Sequence, residues 1–188
     1  MIEVYDNLLS EEVADMIENT LLCNEFPWYM QLKTVYDSEP DGMTREVPYM
    51  SHSFINDGVI NSGMAAFAAD ILADFFEKSG QPECDMIRVM ANLTRPSFGL
   101  PLPTPIHRDQ PERQHNVLIY YASDSDGETV IYNNREQRRI IKAVEPKKNR
   151  FLYFNGDYWH SAYLPQTHDL RVLINYNLAL PTTGESNA

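Results

Sequence analysis

The feature that most constrains this chain is a series of short segments between residues 85 and 180. "DMIRVMANLT" (85–94), "NVLIYYA" (116–122), "ETVIYN" (128–133), "RRIIKAV" (138–144), "RFLYF" (150–154) and "LRVLINYNLAL" (170–180) are rich in β-branched and aromatic residues. Gly, Asp, Asn or Pro punctuates most of the gaps. Each segment is too short for a typical helix and fits a strand, and such a succession predicts a β-sandwich or barrel.

The first 84 residues read differently. "IEVYDNL" (2–8) alternates like a short strand. Ser10 then offers a helix N-cap, with Glu11 and Glu12 suited to the positive end of the helix dipole. Val13, Met16, Ile17 and Leu21 recur at helical spacing, predicting a helix over about residues 11–23. A second apolar stripe, Met64, Phe67, Ala68, Ile71, Leu72 and Phe75, predicts another helix, stopped by Gly80 and Pro82. Residues 37–48 are turn-rich and read as a loop, and "PTTGESNA" (181–188) as a frayed tail. The expected organisation is one structural domain: a supporting region over 1–84, a β-rich core over 85–180 and the tail.

Charge and cysteine content narrow the partners. The net charge of −12 argues against a phosphate-backbone partner, because nucleic-acid binding needs a positive surface. Only Cys23 and Cys84 are present and they form no CxxC pair, which fits a reducing compartment better than a disulfide scaffold. The N-terminal stretch lacks the basic region and apolar run of a signal peptide, and no stretch approaches the roughly 20 apolar residues of a membrane span. The expectation is a cytoplasmic protein with no membrane partner; its oligomeric state is not legible.

The chemistry-bearing residues start at "TPIHRDQPE" (104–112). In a strand, residues two apart share a face, so His107 and Asp109 could present an imidazole and a carboxylate to one ion while Arg108 points away. Two histidines and one carboxylate on one face of an octahedron make the ligand set of non-haem Fe(II) oxygenases. Taken alone the pair fits a solvated turn equally well. A kinase catalytic loop is excluded, since Gln114 stands where the magnesium-binding asparagine must be, and no Gly-rich phosphate loop or Asp-Phe-Gly is present. His160, in "FLYFNGDYWHSAYLP", is the best third ligand, with His52, His115 and His168 as competitors. By itself His160 also fits a core histidine beside Trp159. Arg171 opens the last strand, where its planar fork of donors suits an organic carboxylate; a rim salt bridge is its plain alternative.

Taken as an ordered set, these residues resemble the Fe(II)/2-oxoglutarate-dependent dioxygenases, and among them prolyl-4-hydroxylase-like members, including small forms carried by bacteriophages. The likeness covers roughly half the chain, from about Met86 to Leu180. It runs through Asn92 in "RVMANLT", His107-x-Asp109, "NVLIYYASDSDGETVIY" (116–132), His160 in "RFLYFNGDYWHSAYLP" and Arg171 in "LRVLINYNL". The resemblance implies a double-stranded β-helix, a distorted cupin-like jelly roll with the two helices packed outside. It implies His107, Asp109 and His160 as catalytic iron ligands, with Arg171 anchoring 2-oxoglutarate. Asn92 and Tyr120 are further candidates for the cofactor pocket. It also implies O2 as co-substrate, ascorbate as reductant and a cytoplasmic location, that of the host if a phage encodes the chain. The implied reaction hydroxylates a C–H bond of a peptidyl residue, proline among them, a free amino acid or a small molecule, releasing succinate and CO2.

Two departures qualify the likeness, and two further positions narrow the subfamily. Leu173 stands where many members have Ser or Thr, and Thr94 where many have Tyr, each removing a polar contact to the cofactor. Collagen-type prolyl hydroxylases usually anchor the cofactor with Lys where this chain has Arg171. The alkylated-base demethylases carry a second Arg where this chain has Asn177. The loop over 94–105 is expected to overhang the entrance. A non-enzymatic metal-binding jelly roll, serving as an interaction domain, is the alternative from another class.

Overall fold

The computed structural model describes residues 1–33, 47–96 and 103–180. Most of the expected 37–48 loop, the 181–188 tail and the middle of the 94–105 loop lie outside these residues. The elements in order are β1 (Ile2–Asp6), α1 (Glu11–Leu22), β2 (Tyr29–Gln31), β3 (Tyr49–Asn56), β4 (Val59–Ile60), α2 (Ala65–Ser79), β5 (Met86–Thr94), β6 (His115–Tyr121), β7 (Thr129–Tyr132), β8 (Ile140–Val144), β9 (Arg150–Asn155), β10 (Trp159–Ala162) and β11 (Arg171–Ala179).

Both helices follow their local signals. The Ser10 side chain accepts a hydrogen bond from the Val13 amide at the start of α1. α2 ends where Gly80 takes a left-handed conformation, φ 71°, and its N–H donates to Phe76 O, a position that a Cβ would strain.

The strands form two antiparallel sheets. The larger has the order β1-β9-β6-β11-β5-β3-β2, with β4 paired to β3; the smaller has the order β10-β7-β8. Two isolated bridges, Pro103 to Tyr163 and His107 to His160, lay the 103–107 segment along the smaller sheet as a further, irregular strand. This is the architecture of a double-stranded β-helix, two facing sheets with a cavity between them. The N-terminal strands flank the larger sheet on both sides, β1 on β9 and β3 on β5.

Side-chain parity divides the larger sheet. Val89, Ala91, Leu118, Tyr120, Phe151, Tyr153, Ile174 and Tyr176 face the helices and pack with Ile17, Leu21, Ala68, Ile71, Leu72 and Phe75. Alternate residues, Val117, Ile119, Tyr121, Leu152, Phe154 and Leu173, face the smaller sheet and meet its Ile131 and Val144. Fully burying one such aliphatic side chain contributes about 1.5–3 kcal/mol. Phe75, with no exposure, touches Tyr5, Phe76, Phe151 and Tyr153, so Phe75→Ala costs about 3–5 kcal/mol. The helices therefore seal one face of the sheet and leave the other for chemistry. Among the described residues no helix is long and apolar enough to cross a membrane.

Candidate active site

A cavity of about 560 Å³ opens between the sheets, and His107, Asp109 and His160 line it. Each offers one ligand atom, and these atoms lie within 4.8 Å of one another. His107 and His160 are backbone partners across the smaller sheet: each N–H donates to the other's carbonyl at 2.9 Å. Such a pair projects both side chains to one face, and the imidazole centroids stand 4.6 Å apart.

Asp109 reaches the same point by another route than strand parity. Residues 108 and 109 leave the strand, with a bend at 109, so Arg108 does not point away as expected and lines the same cavity. Asp109 is instead fixed by partners from the larger sheet. Its Oδ2 accepts from Asn175 Nδ2 at 2.9 Å and Asn177 Nδ2 at 2.7 Å, and its Oδ1 lies 3.2 Å from Arg88 Nη2. Burial works to raise the Asp109 carboxyl, but the Arg88 guanidinium beside it holds it well below the usual carboxylate range. It is a carboxylate at neutral pH.

The protonation pattern tests whether a cation fits. His107 Nδ1 is 2.9 Å from Pro105 O and His160 Nδ1 is 3.3 Å from Tyr158 O. A carbonyl can only accept, so each Nδ1 carries its proton, and a neutral ring then turns the Nε2 lone pair inward. Those atoms lie 3.4 and 3.7 Å from Asp109 Oδ1. Two imidazole lone pairs and a carboxylate aimed at one point repel unless a cation lies between them, so the donor set fits a divalent metal. Two nitrogens, one oxygen and no thiolate match the facial triad of a non-haem Fe(II) site.

Arg171 lies deeper, 5% exposed, at the start of β11. Its Nε donates to Gly127 O and its Nη2 to Thr129 Oγ1, both at 2.7 Å, and its guanidinium lies 5.7 Å from the Tyr121 ring centroid. Among the described residues no carboxylate pairs with it. A rim salt bridge is therefore the wrong description: the guanidinium is buried beside neutral groups, and burial lowers its pKa from the usual value. A buried charge without a counter-ion is costly, and a ligand carboxylate would supply the missing one. Gly127 is required here, since a Cβ would stand 2.7 Å from Tyr163 O and 3.0 Å from Arg171 Cδ.

Asn92 and Thr94 lie on β5 opposite Leu173 and Arg171 of β11, and all four line the cavity. Asn92 Oδ1 and Thr94 Oγ1 are buried with no hydrogen-bond partner, so the wall retains polar atoms for a ligand despite Leu173. Tyr120 is a correction. It pairs with Ile174 and packs on Phe151 in the helix-facing core, because Ile119 and Tyr121 take the cavity parity on β6.

The competing histidines are engaged elsewhere. His52 bridges Pro27 O and Ser62 Oγ; His115 Nδ1 is 2.9 Å from Arg113 O, its ring packed against Gly156; His168 is bound to Asp126. Sequence reasoning missed Asn175, Asn177 and Thr129 as site residues. Parity from Arg171 would have found the two asparagines, since 171, 173, 175 and 177 share one face of β11.

No family model matches the sequence, and no curated protein is significantly similar to it. Solved structures are similar in shape. A 2OG-Fe(II) oxygenase-family oxidoreductase from Burkholderia pseudomallei superposes with a TM-score of 0.68 at 11% identity, over 95% of this chain and 84% of that one. The fold is that of these oxygenases. The non-haem α-ketoglutarate-dependent epimerase SnoN from nogalamycin biosynthesis gives 0.63 at 13%, over 94% and 76%. A Trichoplax adhaerens prolyl hydroxylase, solved with a hypoxia-inducible-factor peptide fragment, gives 0.59 at 13%, over 95% and 83%.

Proposed function

We propose that this chain is an Fe(II)- and 2-oxoglutarate-dependent oxygenase that hydroxylates a C–H bond of a peptidyl residue or small molecule. The observation that carries the reading is the pairing, in one cavity, of a His-Asp-His cluster with a buried guanidinium that has no acid partner among the described residues. The Burkholderia and Trichoplax structures support it by fold, and the peptide held by the latter keeps a peptide, proline included, among the substrates.

In this reading His107 Nε2, His160 Nε2 and Asp109 Oδ1 would hold the metal. Asn175 and Asn177 fix the carboxylate's rotation, and the Pro105 and Tyr158 carbonyls fix the imidazole tautomers; such outer contacts govern metal affinity. Arg171 would receive the remote carboxylate of 2-oxoglutarate. Thr129 Oγ1 accepts from both Tyr121 and Arg171, so its own proton is left to donate toward the same ligand. Asn92 and Thr94 offer polar contacts along the cofactor, and Ile119 and Leu173 exclude water from it. When bound, Fe(II) supplies the oxidation in which O2 gives one oxygen to succinate and one to the substrate while CO2 leaves, with ascorbate as reductant after uncoupled cycles.

The test is an anaerobic titration of 2-oxoglutarate into the Fe(II) protein, followed by the metal-to-ligand charge-transfer absorption. A saturable band is expected. Iron binding without any band would leave a metal-binding jelly roll that takes no co-substrate.

A further inference from the structure

Among the described residues four arginines line the cavity, Arg88, Arg108, Arg135 and Arg171, against one carboxylate, Asp109. In a chain of net charge −12 this is a local concentration of positive charge. Two are accounted for: Arg88 lies against Asp109, and Arg171 is assigned above to the co-substrate. Arg108 and Arg135 are left.

Both sit over one indole. The guanidinium carbons of Arg108 and Arg135 lie 4.9 and 5.8 Å from the ring centroid of Trp159. Neither pairs with a carboxylate among the described residues, and Arg108 Nε is buried with no hydrogen-bond partner. Two cations gathered on one ring repel each other, and the attraction of each to the indole offsets this only in part. Their common position over the indole also gathers the N–H groups of both guanidiniums at one wall, where they can donate to a planar or tetrahedral anion. Position adds to the argument. Arg108 falls between His107 and Asp109 in the chain, Trp159 precedes His160, and Arg135 reaches in from the turn after β7. An anion held here is thus next to the triad and on a different wall from Arg171.

Resting on the proposed function, we propose that Arg108, Arg135 and Trp159 form an anion subsite at the cavity mouth, and that the substrate is a small acid whose carboxylate or phosphate docks there while its C–H bond faces the triad. The geometry selects substrates by charge at one end and leaves the C–H end to the triad. Exposed Arg135 makes the site salt-sensitive, so affinity falls as ionic strength rises.

The test uses metal-free, 15N-labelled protein and the two tryptophan indole resonances, with Trp159 assigned through Trp159→Phe. Three end-capped amino acids serve as probes: glutamate, phosphoserine and, as the neutral match, glutamine. The glutamate or phosphoserine probe is expected to shift the Trp159 resonance saturably, and the tighter of the two separates carboxylate from phosphate. Glutamine is expected to leave it unmoved. Arg108→Gln with Arg135→Gln should weaken the response at least tenfold, and circular dichroism checks that this variant folds. Arg171→Leu should retain it. A response equal for all three probes, or one abolished by Arg171→Leu and kept by the double variant, overturns the subsite. A capped tripeptide centred on glutamate that binds tenfold tighter than the single residue overturns the small-acid assignment in favour of an acidic peptide. Because no metal or turnover enters these measurements, their failure is distinct from failure of the oxygenase reading.

Discussion

His107 and His160 exchange both of their backbone hydrogen bonds, each 2.9 Å long, across the edge of the smaller sheet. The imidazole separation is therefore set by main-chain geometry, and the carboxylate between them is set by side chains of the opposite sheet. The site spans the two sheets, so its variants divide into those that loosen one wall and those that remove a ligand.

Asn177→Ala tests the opposite wall. It removes the 2.7 Å bond to Asp109 Oδ2 and leaves Asn175 as the remaining amide donor. Loss of such an outer contact is expected to weaken metal binding about 10- to 100-fold, with little change in fold. Competition against a metal-binding dye, using Co(II) as a stable probe ion, measures it.

Arg171→Ala is expected to leave Fe(II) affinity nearly unchanged and to weaken 2-oxoglutarate binding by about 2–5 kcal/mol, some thirty-fold to several thousand-fold. Arg171→Lys restores only part, because Lys keeps the charge and cannot meet Gly127 O and Thr129 Oγ1 with a fixed fork. The charge-transfer titration reads both variants. Equal dissociation constants for mutant and wild type would remove Arg171 from the co-substrate.

Gly127→Ala acts on the same anchor without touching its charge. The new Cβ meets the Tyr163 carbonyl and Arg171 Cδ, so the 127 backbone must shift and carry its carbonyl from Arg171 Nε. The expected cost is about 1–3 kcal/mol of stability, read by urea unfolding, together with weaker 2-oxoglutarate binding.

Asp126 supplies a pH signature. Its carboxylate accepts from the amides of Gln166, Thr167 and His168 and from the Thr167 hydroxyl, pinning the turn before Arg171. Partial burial works to raise its pKa, but these bonds hold it well below the usual carboxylate range. A depressed folded value means the stabilisation is fully present above the unfolded pKa of about 3.9 and is lost as pH falls through the folded value. Asp126→Asn should therefore be less stable than wild type at pH 7, with the gap narrowing below about pH 4. Unfolding midpoints at pH 7 and pH 3 check the sign.

What the sequence disclosed follows from how locally each feature is encoded. α1 and α2 have apolar stripes and end signals within their own spans, and the expected bounds differ from the observed ones by a residue or so. The six expected strands between 85 and 180 are present for the same reason. β10, "WHSA", was not legible, because four residues with neither alternation nor β-branched character look like a turn. β3 was obscured by Ser51 and His52, which its neighbours bury, and by half-buried Ser53. The wrong face for Tyr120 is a one-residue parity question within a strand buried on both sides, where no polar alternation marks the register. Arg108 escaped because the turn at 109 breaks the strand geometry used to place it.

The measurement that bears most directly on the central claim is succinate formation from 2-oxoglutarate with Fe(II), ascorbate and O2, before any substrate is known. The wild-type chain is expected to release succinate slowly by uncoupled turnover, with none formed under anaerobic control. Asp109→Ala should abolish the reaction, since it removes the only carboxylate among the described cavity-lining residues. No succinate from wild-type protein with iron demonstrably bound, or equal amounts from wild type and Asp109→Ala, would contradict the account.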